Sequence, residues 1–319
     1  MKKVGIIGGS GYTGGELIRL VLHHPALALD FVYSTTRPGT PLHHTHADLL
    51  GAEAPNFTSD INPEVDVVFL CVGHGKSVTF LDQNKFSEKT ILIDLSNDFR
   101  LSADAQYQKY NFVYGLPENQ KEEIENANAI ANPGCFATAI QLALLPLAKN
   151  GKITAPIHVN ATTGSTGAGV GLSSTGHFSW RNNNFSWYKP FTHQHLGEIE
   201  ETLGNPKLYF LPQRGNFTRG IFASCYTPFD GSLKDAEAMY KDFYNSHPFT
   251  HVSDKELTLK QVVNTNHCAL HLHQYEDQLL VTSVIDNLLK GASGQAIQNL
   301  NLMMGWEEDL GLQLKASVF

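Results

Sequence analysis

Cys135 is the residue of this chain best placed to act as a nucleophile. It follows Pro133-Gly134, and an apolar segment with helical spacing, residues 139–148, comes soon after it. The proline and glycine end a short strand-like run, so we expect the cysteine at the N-terminus of a helix. Unpaired N–H groups and the helix dipole stabilise a thiolate there. A free cysteine is more often a buried core residue, but this position favours chemistry.

A histidine and a carboxylate that could move a proton lie at His195 and Glu198. We expect a helix to begin at Thr192, and a spacing of three would then place both side chains on one helix face. The carboxylate could orient the imidazole as a general base or acid near neutral pH. Such pairs are more often surface features, and the candidate nucleophile favours the catalytic interpretation. His193 is the less favoured base.

Glycines at positions 8, 11 and 14 separate a short apolar strand, residues 3–7, from a helical pattern at residues 16–22. Glycine lets the backbone approach a pyrophosphate closely, and the helix N-terminus faces its negative charge. A glycine motif alone is a weak signal, but the strand before it and the helix after it favour dinucleotide binding over a simple tight turn.

The second strand, residues 29–33, indicates which dinucleotide binds. An NAD site usually ends this strand with a carboxylate for the ribose 2′-hydroxyl. This chain has Ser34-Thr35-Thr36-Arg37 instead, hydroxyl groups and a cation that suit a 2′-phosphate. We therefore expect NADP(H), and the alternative is a polar turn with an incidental arginine. Gly73 follows another apolar strand, residues 66–72, at the edge where cofactors bind in such sheets.

The pattern of elements predicts two domains. Strands and helices alternate as far as Cys135, as in a Rossmann-type, doubly wound parallel α/β sheet. Beyond Asn150-Gly151 the strands are longer, and two of them are joined by a hairpin at residues 276–278, which predicts an α+β domain with a mixed or antiparallel sheet. We expect an NADP-binding domain at residues 1–134 with a returning C-terminal helix at 293–319, and a catalytic domain at 135–292.

Composition excludes several functions. The chain has 319 residues, 42% of them hydrophobic and 17% charged, with a net charge of −8. No basic run is present, which argues against nucleic acid or an anionic membrane as partner. Glycines interrupt the first apolar run too early for a signal peptide, so we expect a cytoplasmic protein. The histidine clusters at 43–46 and 271–273 lack carboxylates or cysteines at ligand spacing, and we expect no metal.

A cysteine nucleophile, a histidine base and a reduced nicotinamide together predict the reduction of an activated acyl group to an aldehyde. Nicotinamide does not readily reduce a free carboxylate, so we expect an acyl phosphate as substrate and phosphate as leaving group. Its anionic groups need cations in an acidic protein. The candidates are Arg100, Arg181, Lys189, Arg214 and Arg219.

Motifs along nearly the whole chain resemble the N-acetyl-γ-glutamyl-phosphate reductases of arginine biosynthesis. The Pro-Gly-Cys-Phe element is specific, and the others follow in the same order. They are Gly8-x-Ser10-Gly11-Tyr12-x-Gly14, Asp94-Leu95-Ser96-x-Asp98-Phe99-Arg100, Tyr114-Gly115-Leu116-Pro117-Glu118, Asn132-Pro133-Gly134-Cys135-Phe136-Ala137-Thr138, His193-x-His195-x-x-Glu198, Thr218-Arg219-Gly220, and Ile285-Asp286-Asn287-Leu288 through Asn299.

The resemblance implies NADPH-dependent reduction of N-acetyl-γ-glutamyl phosphate to the semialdehyde, with a semialdehyde dehydrogenase-like fold. Cys135 would carry the acyl group, His195 would be the base and Glu198 would orient it. A homodimer or homotetramer would form through the sheet of the second domain. Expected cofactor contacts are Gly8, Ser10, Gly11, Tyr12, Thr13, Gly14, Ser34, Thr36, Arg37, Gly73 and Asn299. Expected substrate contacts are Arg100, Asn132, Gly164, His193, Arg214 and Arg219.

Two departures from the family pattern leave the substrate open. Residues 212–217 differ from the usual His-Leu-Val-Pro-Met run, and Val170 stands where the family has arginine. An N-succinyl substrate is therefore an alternative. An aspartate-semialdehyde dehydrogenase would carry Asn-Cys at the nucleophile. A non-catalytic NADP-binding regulator would leave Cys135 structural, and a cysteine hydrolase without cofactor would leave the glycine motif unexplained.

Overall fold

The structure is a computed structural model in which residues 1–318 are described. The chain forms two compact units: Met1–Pro133 with Ala292–Gln313, and Gly134–Gly291 with residues 314–318. The last residues thus differ from the expected boundary, which placed 293–319 together. The cause is tertiary pairing, because the Asn264 amide donates to the Lys315 carbonyl and the Ser317 N–H donates to the Val263 carbonyl.

The first unit contains an eight-stranded sheet in the order β3-β2-β1-β4-β5-β8-β7-β6. Neighbouring strands are parallel except β6 and β7, as expected for a doubly wound sheet. The strands are β1 (Lys2–Ile7), β2 (Leu27–Tyr33), β3 (Phe57–Thr58), β4 (Val67–Leu70), β5 (Ile91–Asp94), β6 (Gln106–Tyr107), β7 (Tyr110–Tyr114) and β8 (Ala129–Ala131).

Four helices belong to this unit, and α1 and α3 both pack against α8 from the C-terminal part of the chain. They are α1 (Tyr12–His23), α2 (Ser77–Gln83), α3 (Pro117–Glu125) and α8 (Gly294–Met303). All four residues of β4 are buried, as expected for a parallel strand covered on both faces. Strands β2 and β4 flank β1, so the strand order reverses at β1, where sheets of this type bind ligands at their carboxyl edge.

The second unit contains a seven-stranded sheet in the order β10-β11-β9-β12-β15-β14-β13. The pairs β9–β11 and β13–β14 are parallel and the others antiparallel, so the expected mixed sheet is confirmed. Its strands are β9 (Ile157–Thr163), β10 (Ser186–Trp187), β11 (Leu208–Arg214), β12 (Ile221–Pro228), β13 (Thr250–Ser253), β14 (Cys268–Tyr275) and β15 (Gln278–Ile285). The hairpin between β14 and β15 is also confirmed.

Helix α4 is the buried centre of this unit. It packs against β12, β15 and α6, and its residues from Phe136 to Leu147 are buried. The helices are α4 (Cys135–Lys149), α5 (Phe178–Arg181), α6 (Leu196–Leu203) and α7 (Leu233–Tyr244). The long segment between β9 and α6 contains two 3₁₀ turns, Ser165–Ala168 and Ser174–Gly176, besides α5 and β10.

Within residues 1–318, no helix has the length and apolar character needed to cross a lipid bilayer. The same residues contain no group of three or more His, Cys, Asp or Glu side chains arranged to hold a metal ion.

Candidate active site

The glycine-rich loop of the first unit leaves no room for a Cβ atom at Gly8 or Gly14. Gly8 has a φ of +81°, and a Cβ there would lie 2.5 Å from the Cys71 carbonyl oxygen. A Cβ on Gly14 would lie 2.7 Å from the Gly8 oxygen. Helix α1 begins at Tyr12, and no side chain caps it at Gly11. Its N–H groups can therefore face an anion, as a pyrophosphate site requires.

The residues after β2 fit a 2′-phosphate. Ser34 is buried, with its Oγ 3.4 Å from the Thr36 Oγ1. Arg37 is exposed, and its guanidinium has no hydrogen-bond or ion-pair partner within residues 1–318. No carboxylate lies between residues 34 and 40 to bind a ribose hydroxyl. A cation and two hydroxyl groups are thus the available donors.

Carboxylates from the neighbouring strand position the loop that begins at Gly73. Asp98 accepts hydrogen bonds from the N–H groups of Gly75 (2.6 Å) and Ser77 (2.9 Å). Burial raises the pKa of Asp94 to about 6, although hydrogen bonds from Ser77 and Ser96 oppose the rise. The loop is therefore held at the carboxyl end of β4 by side chains beneath it.

Three predicted site residues come together in the first unit. Arg100 donates from Nε to the Asn132 carbonyl (2.9 Å) and from Nη2 to the Leu95 carbonyl (3.0 Å). Asn299 donates from Nδ2 to the Asn132 Oδ1 (3.1 Å) and the Gly115 carbonyl (2.9 Å). The Asn299 Oδ1 is buried and has no hydrogen-bond partner within residues 1–318. The side-chain oxygen of Asn299 is therefore a buried acceptor without a hydrogen-bond donor in the described structure.

In the second unit, Cys135 is the first residue of α4, which confirms the expected helix N-terminus. Gly134 precedes it with extended backbone (φ −70°, ψ 150°), and no side chain caps the helix there. A Cβ on Gly291 would lie 2.8 Å from the Cys135 Cβ, so Gly291, in the π-helical turn Leu289–Ser293, packs directly on the nucleophile. π-helical turns are rare and are often found at functional sites.

Glu198 accepts a hydrogen bond from the residue before the nucleophile and lies near the candidate base. Its Oε2 accepts the Gly134 N–H at 3.0 Å, and its Oε1 lies 4.0 Å from the His195 Nε2. The His195 ring lies against Gly134, since a Cβ there would lie 2.4 Å from that nitrogen. Both side chains are buried. A histidine and a carboxylate therefore flank the helix end that carries Cys135.

The expected helix start at Thr192 is wrong. Helix α6 begins at Leu196, and His195 occupies its N-cap position. The preceding residues form a turn in which the Leu196 N–H donates to the His193 carbonyl. The spacing of three between His195 and Glu198 still brings the two side chains together, because His195 has αR backbone angles (φ −83°, ψ −6°).

His193 is already committed to the backbone. Its Nδ1 accepts the His195 N–H at 3.2 Å, so the proton of the neutral ring lies on Nε2. Its ring packs edge-to-face against Phe136 and Tyr188. The contact with its own main chain leaves the Nδ1 of His193 with a structural function.

Two arginines, Arg181 and Arg214, form a cationic cluster with Tyr188, which lies near Cys135. The Arg214 guanidinium lies 4.4 Å from the Tyr188 ring centre, and its buried Nε has no hydrogen-bond partner within residues 1–318. Arg181 donates to the Arg214 carbonyl at 2.9 Å. Burial raises the pKa of Tyr188 to about 12; the nearby Arg214 opposes this rise, and negative charge on Cys135 adds to it. Neither arginine pairs with a carboxylate of residues 1–318.

Arg219, by contrast, is paired with Asp286. Its Nε and Nη2 lie 3.0 and 3.1 Å from the two carboxylate oxygens. Gly164 contacts the same segment, since its N–H donates to the Gly220 carbonyl and a Cβ there would lie 2.4 Å from the Thr218 oxygen.

Sequence reasoning did not single out Tyr188, Asp286 or Gly291 as site residues. Tyr188 lies in the long polar segment whose length suggested a function, and Asp286 directly follows an apolar strand. The sequence around Tyr188 and Asp286 therefore gave a reason to consider both as site residues. Nothing local distinguished Gly291, because its importance comes from a contact with a residue 156 positions earlier (291 − 135).

Comparison with known proteins defines the class. Residues 3–127 match the family model for the semialdehyde dehydrogenase NAD binding domain, and residues 135–287 match that for the semialdehyde dehydrogenase dimerisation domain. Proteins named N-acetyl-gamma-glutamyl-phosphate reductase from Flavobacterium johnsoniae and Christiangramia forsetii are 59% and 58% identical to it, over 100% of both chains in each case. The chain belongs to this family of reductases within the semialdehyde dehydrogenases.

A solved structure agrees on the fold. Aspartate semialdehyde dehydrogenase II from Vibrio cholerae, complexed with ASA, has a TM-score of 0.72 at 14% identity and covers 96% of this chain and 98% of its own. At 14% identity, this similarity shows a shared fold and gives no information about the activity. The expected semialdehyde dehydrogenase-like architecture is confirmed.

Proposed function

We propose that this chain catalyses the NADPH-dependent reduction of N-acetyl-γ-glutamyl phosphate to N-acetylglutamate 5-semialdehyde, with release of phosphate, in arginine biosynthesis. The observation that carries the proposal is Cys135 at an uncapped helix N-terminus, beside a buried histidine and carboxylate. Full-length relatives named for this reductase support the same activity.

The first unit offers a fitting site for NADP(H). The peptide groups of the loop from Gly8 to Gly14, with Ser10, Tyr12 and Thr13, would hold the pyrophosphate at the N-terminus of α1. Ser34, Thr36 and Arg37 would bind the 2′-phosphate. Gly73 and the unsatisfied Asn299 Oδ1 would contact the remainder of the cofactor. When bound, the reduced nicotinamide supplies a hydride.

Cys135 would form the covalent intermediate. Its thiolate attacks the acyl carbon, a C–S bond forms, and the C–O bond to phosphate breaks, which leaves a thioester and inorganic phosphate. Hydride reduction gives a thiohemiacetal, whose C–S bond breaks to return the thiolate and release the aldehyde. His195 would take the thiol proton, give it to the oxygen of the acyl group when the thiohemiacetal forms, and take it back as the C–S bond breaks. Glu198 would stabilise the charged form of the imidazole.

Several cations are candidates to bind the anionic groups of the substrate. Arg214 has an unsatisfied buried Nε, and Arg219 presents a guanidinium already oriented by Asp286. In the first unit Arg100 lies with Asn132. Gly164 and His193 would form part of the wall around the substrate. Because the chain as a whole has a net charge of −8, attraction of an acyl phosphate must be local.

An N-succinyl substrate is the second candidate. It carries one more carboxylate than the N-acetyl compound, and Arg181 and Arg214 are two neighbouring cations with no carboxylate partner within residues 1–318. A second negative charge would relieve the repulsion between them, which contributes, after burial, to lowering the pKa of Arg181.

The reverse reaction tests both candidates, because acyl phosphates are labile. N-acetylglutamate semialdehyde or N-succinylglutamate semialdehyde is supplied with NADP⁺ and phosphate, and nicotinamide absorbance is followed. Phosphate-dependent formation of NADPH supports the reductase, and the ratio of kcat/KM for the two semialdehydes identifies the acyl group. Protein that binds NADPH but turns over neither compound would contradict the proposal and favour a regulator.

We also infer that the chain assembles as a homodimer or homotetramer through its second unit. The support is the match of residues 135–287 to a dimerisation-domain model. Sedimentation equilibrium would test it, and a monomer at enzymatic concentrations would contradict it.

A further inference from the structure

Asp286 is a buried carboxylate that no reaction step described above uses. It lies directly after β15 and is fully buried, at 0% exposure. Its two oxygens accept five hydrogen bonds: two from Arg219, at 3.0 and 3.1 Å, and three from the N–H groups of Asn264 (2.7 Å), Leu288 (2.8 Å) and Leu289 (3.1 Å). Burying a charge is costly unless it is paired, and this carboxylate is saturated with donors.

The bidentate contact fixes the direction of the Arg219 guanidinium. One fifth of the Arg219 side chain is exposed, whereas Asp286 is not exposed at all. A guanidinium held on one edge by a carboxylate loses little further freedom when its other side binds an anion. Neither Arg181 nor Arg214 has a carboxylate partner within residues 1–318, although Arg181 donates to the Thr175 and Arg214 carbonyl groups. Of these three arginines, Arg219 is therefore the one whose guanidinium is oriented by a carboxylate.

The neighbouring residue secures the same segment. Asn287 accepts the Gly220 N–H on its Oδ1 at 2.7 Å and donates from Nδ2 to the Thr166 Oγ1 at 3.0 Å. Thr166 in turn donates to the Thr218 carbonyl. The chain on both sides of Arg219 is thus pinned to the 165–168 turn, which limits movement of the arginine's main chain.

Asp286 also shapes the turn that packs on Cys135. Its carboxylate caps the N–H groups of Leu288 and Leu289, and its carbonyl accepts the Gly291 N–H at 2.9 Å, which closes the π-helical turn. Gly291 is the residue whose backbone lies against the Cys135 Cβ. One aspartate therefore links the orientation of Arg219 to the support of the nucleophile.

We propose that Asp286 is a positioning residue that orients Arg219 to bind an anionic group of the substrate, either its carboxylate or the phosphate. This inference rests on the proposed function, because it assigns a task within that reaction. Asp286 does not touch the reacting atoms, and its effect is exerted through Arg219.

Asp286→Asn tests the proposal in the reverse reaction, with separate KM values for phosphate and semialdehyde. The remaining oxygen can still cap Leu288 and Leu289, so alkylation of Cys135 by iodoacetamide should keep its rate. The amide NH₂ would face donors from Arg219 and Asn264, and we expect one of the two KM values to rise about 10- to 100-fold. kcat should change little, as expected when binding alone is lost. The KM that rises identifies the anion.

Two comparisons separate positioning from a general structural effect. Asp48→Asn breaks another bidentate Arg–Asp contact, to Arg19 in the first unit, and should leave both KM values unchanged. The double variant Arg219→Ala/Asp286→Asn should have a kcat/KM within about 2-fold of Arg219→Ala alone, because Asp286 then has nothing to orient. The proposal would be overturned if the kcat/KM of the double variant fell by the product of the two single losses. Unchanged KM values in Asp286→Asn would also overturn it.

Further measurements cover the remaining outcomes. If Asp286→Asn does not fold, by circular dichroism, Arg219→Lys decides: it keeps the charge but cannot form the fork, so a KM rise of about 10-fold supports the proposal and a wild-type KM overturns it. If the wild type shows no turnover, the proposed reaction fails separately. Calorimetric binding of phosphate and of each semialdehyde to the wild type and Asp286→Asn would then decide, with equal Kd values overturning the positioning function.

Discussion

The glycine loop of the first unit and the surroundings of Cys135 in the second achieve the same end by different means. The loop has no room for a Cβ at Gly8 or Gly14, and residues 8 to 14 form the whole of it between one strand and the following helix. The Cys135 site is made of side chains from distant parts of the chain: His195, Glu198, Tyr188 and Arg214. One region depends on local backbone geometry and the other on tertiary packing.

This difference predicts how each region fails. A single added methyl group should disrupt the loop, because the atoms it would meet are backbone and cannot turn away. The Cys135 site should respond to the chemistry of the side chain replaced. Cofactor affinity and Cys135 reactivity are therefore independent measurements. A substitution in one region should change one of them and leave the other at its wild-type value.

Cys135→Ser should have the largest effect. A neutral hydroxyl is a much weaker nucleophile than a thiolate, so we expect turnover to fall by about 10⁴-fold or more while NADPH affinity stays at the wild-type level. Reverse-direction kinetics and fluorescence titration of NADPH measure the two. Cys268→Ser is the matched control, because its sulfur already lies 3.5 Å from the Ser283 hydroxyl and it should retain activity. Retained turnover in Cys135→Ser would remove that residue from the mechanism.

Gly291→Ala should affect the nucleophile and leave the cofactor site intact. The new Cβ would lie 2.8 Å from the Cys135 Cβ, which forces the nucleophile to shift. Misplacement of a reacting group by about 1 Å can cost about 100-fold in rate, so we expect kcat and iodoacetamide alkylation to fall by roughly that factor. NADPH affinity should not change. An unchanged alkylation rate in folded protein would show that the turn does not hold Cys135.

Gly14→Ala is the converse variant. Its Cβ would lie 2.7 Å from both the Gly8 carbonyl oxygen and the Gly9 Cα, so the loop must deform. We expect NADPH affinity to fall by about 10- to 100-fold, the equivalent of one or two charge-assisted hydrogen bonds. Cys135 alkylation should keep its rate. Gly171→Ala, where a Cβ would meet nothing within 4 Å, is the control. A slower alkylation in Gly14→Ala would contradict the separation of the two regions.

Arg37→Ala should have a smaller effect, confined to the choice of cofactor. The exposed guanidinium is the single cation in residues 34–37 after β2, and only NADPH carries a phosphate for it. We expect the preference for NADPH over NADH to fall by about 10-fold, more at low salt than at high salt. The ratio of kcat/KM for the two cofactors measures it. An unchanged ratio would refute the assignment of Arg37 to the 2′-phosphate.

The same contrast explains what the sequence could predict. The strand, glycine turn and helix from Lys2 to His23 are neighbours in the chain, so their pattern predicted the structure found. Cys135 at a helix start was predictable because Pro133-Gly134 is a local signal. The helix expected from Thr192 was wrong, because residues 193–195 form a turn whose hydrogen bonds involve the His193 ring and main chain.

Long-range contacts account for most of the rest. The bidentate contact between Asp286 and Arg219 joins residues 67 positions apart, and the periodicity of the sequence does not predict it. Likewise, residues 314–318 lie with the second unit, where they form hydrogen bonds with Val263 and Asn264. Tertiary pairing of this kind is decided by the packed structure, and local propensity gives no preference for it.

The smallest expected effect is a difference in acid sensitivity between the units. Desolvation lowers the pKa of the half-buried His267 and of its more exposed neighbour His251 in the second unit below the ordinary value of 6.5, and the two rings are joined by a 3.0 Å hydrogen bond. The unfolded chain then binds more protons than the folded one, so stability should fall as pH drops through 6.5. Asp94 in the first unit acts in the opposite direction. Burial raises its pKa to about 6, so protonation removes the free-energy cost of burying its charge.

Hydrogen exchange at pH 7.5 and 5.5, corrected for intrinsic rates, should therefore show a greater loss of protection in β13 and β14 than in β4 and β5. His251→Gln should reduce the loss in β13 and β14, and an equal loss in the wild type and this variant would remove the histidine pair as its cause.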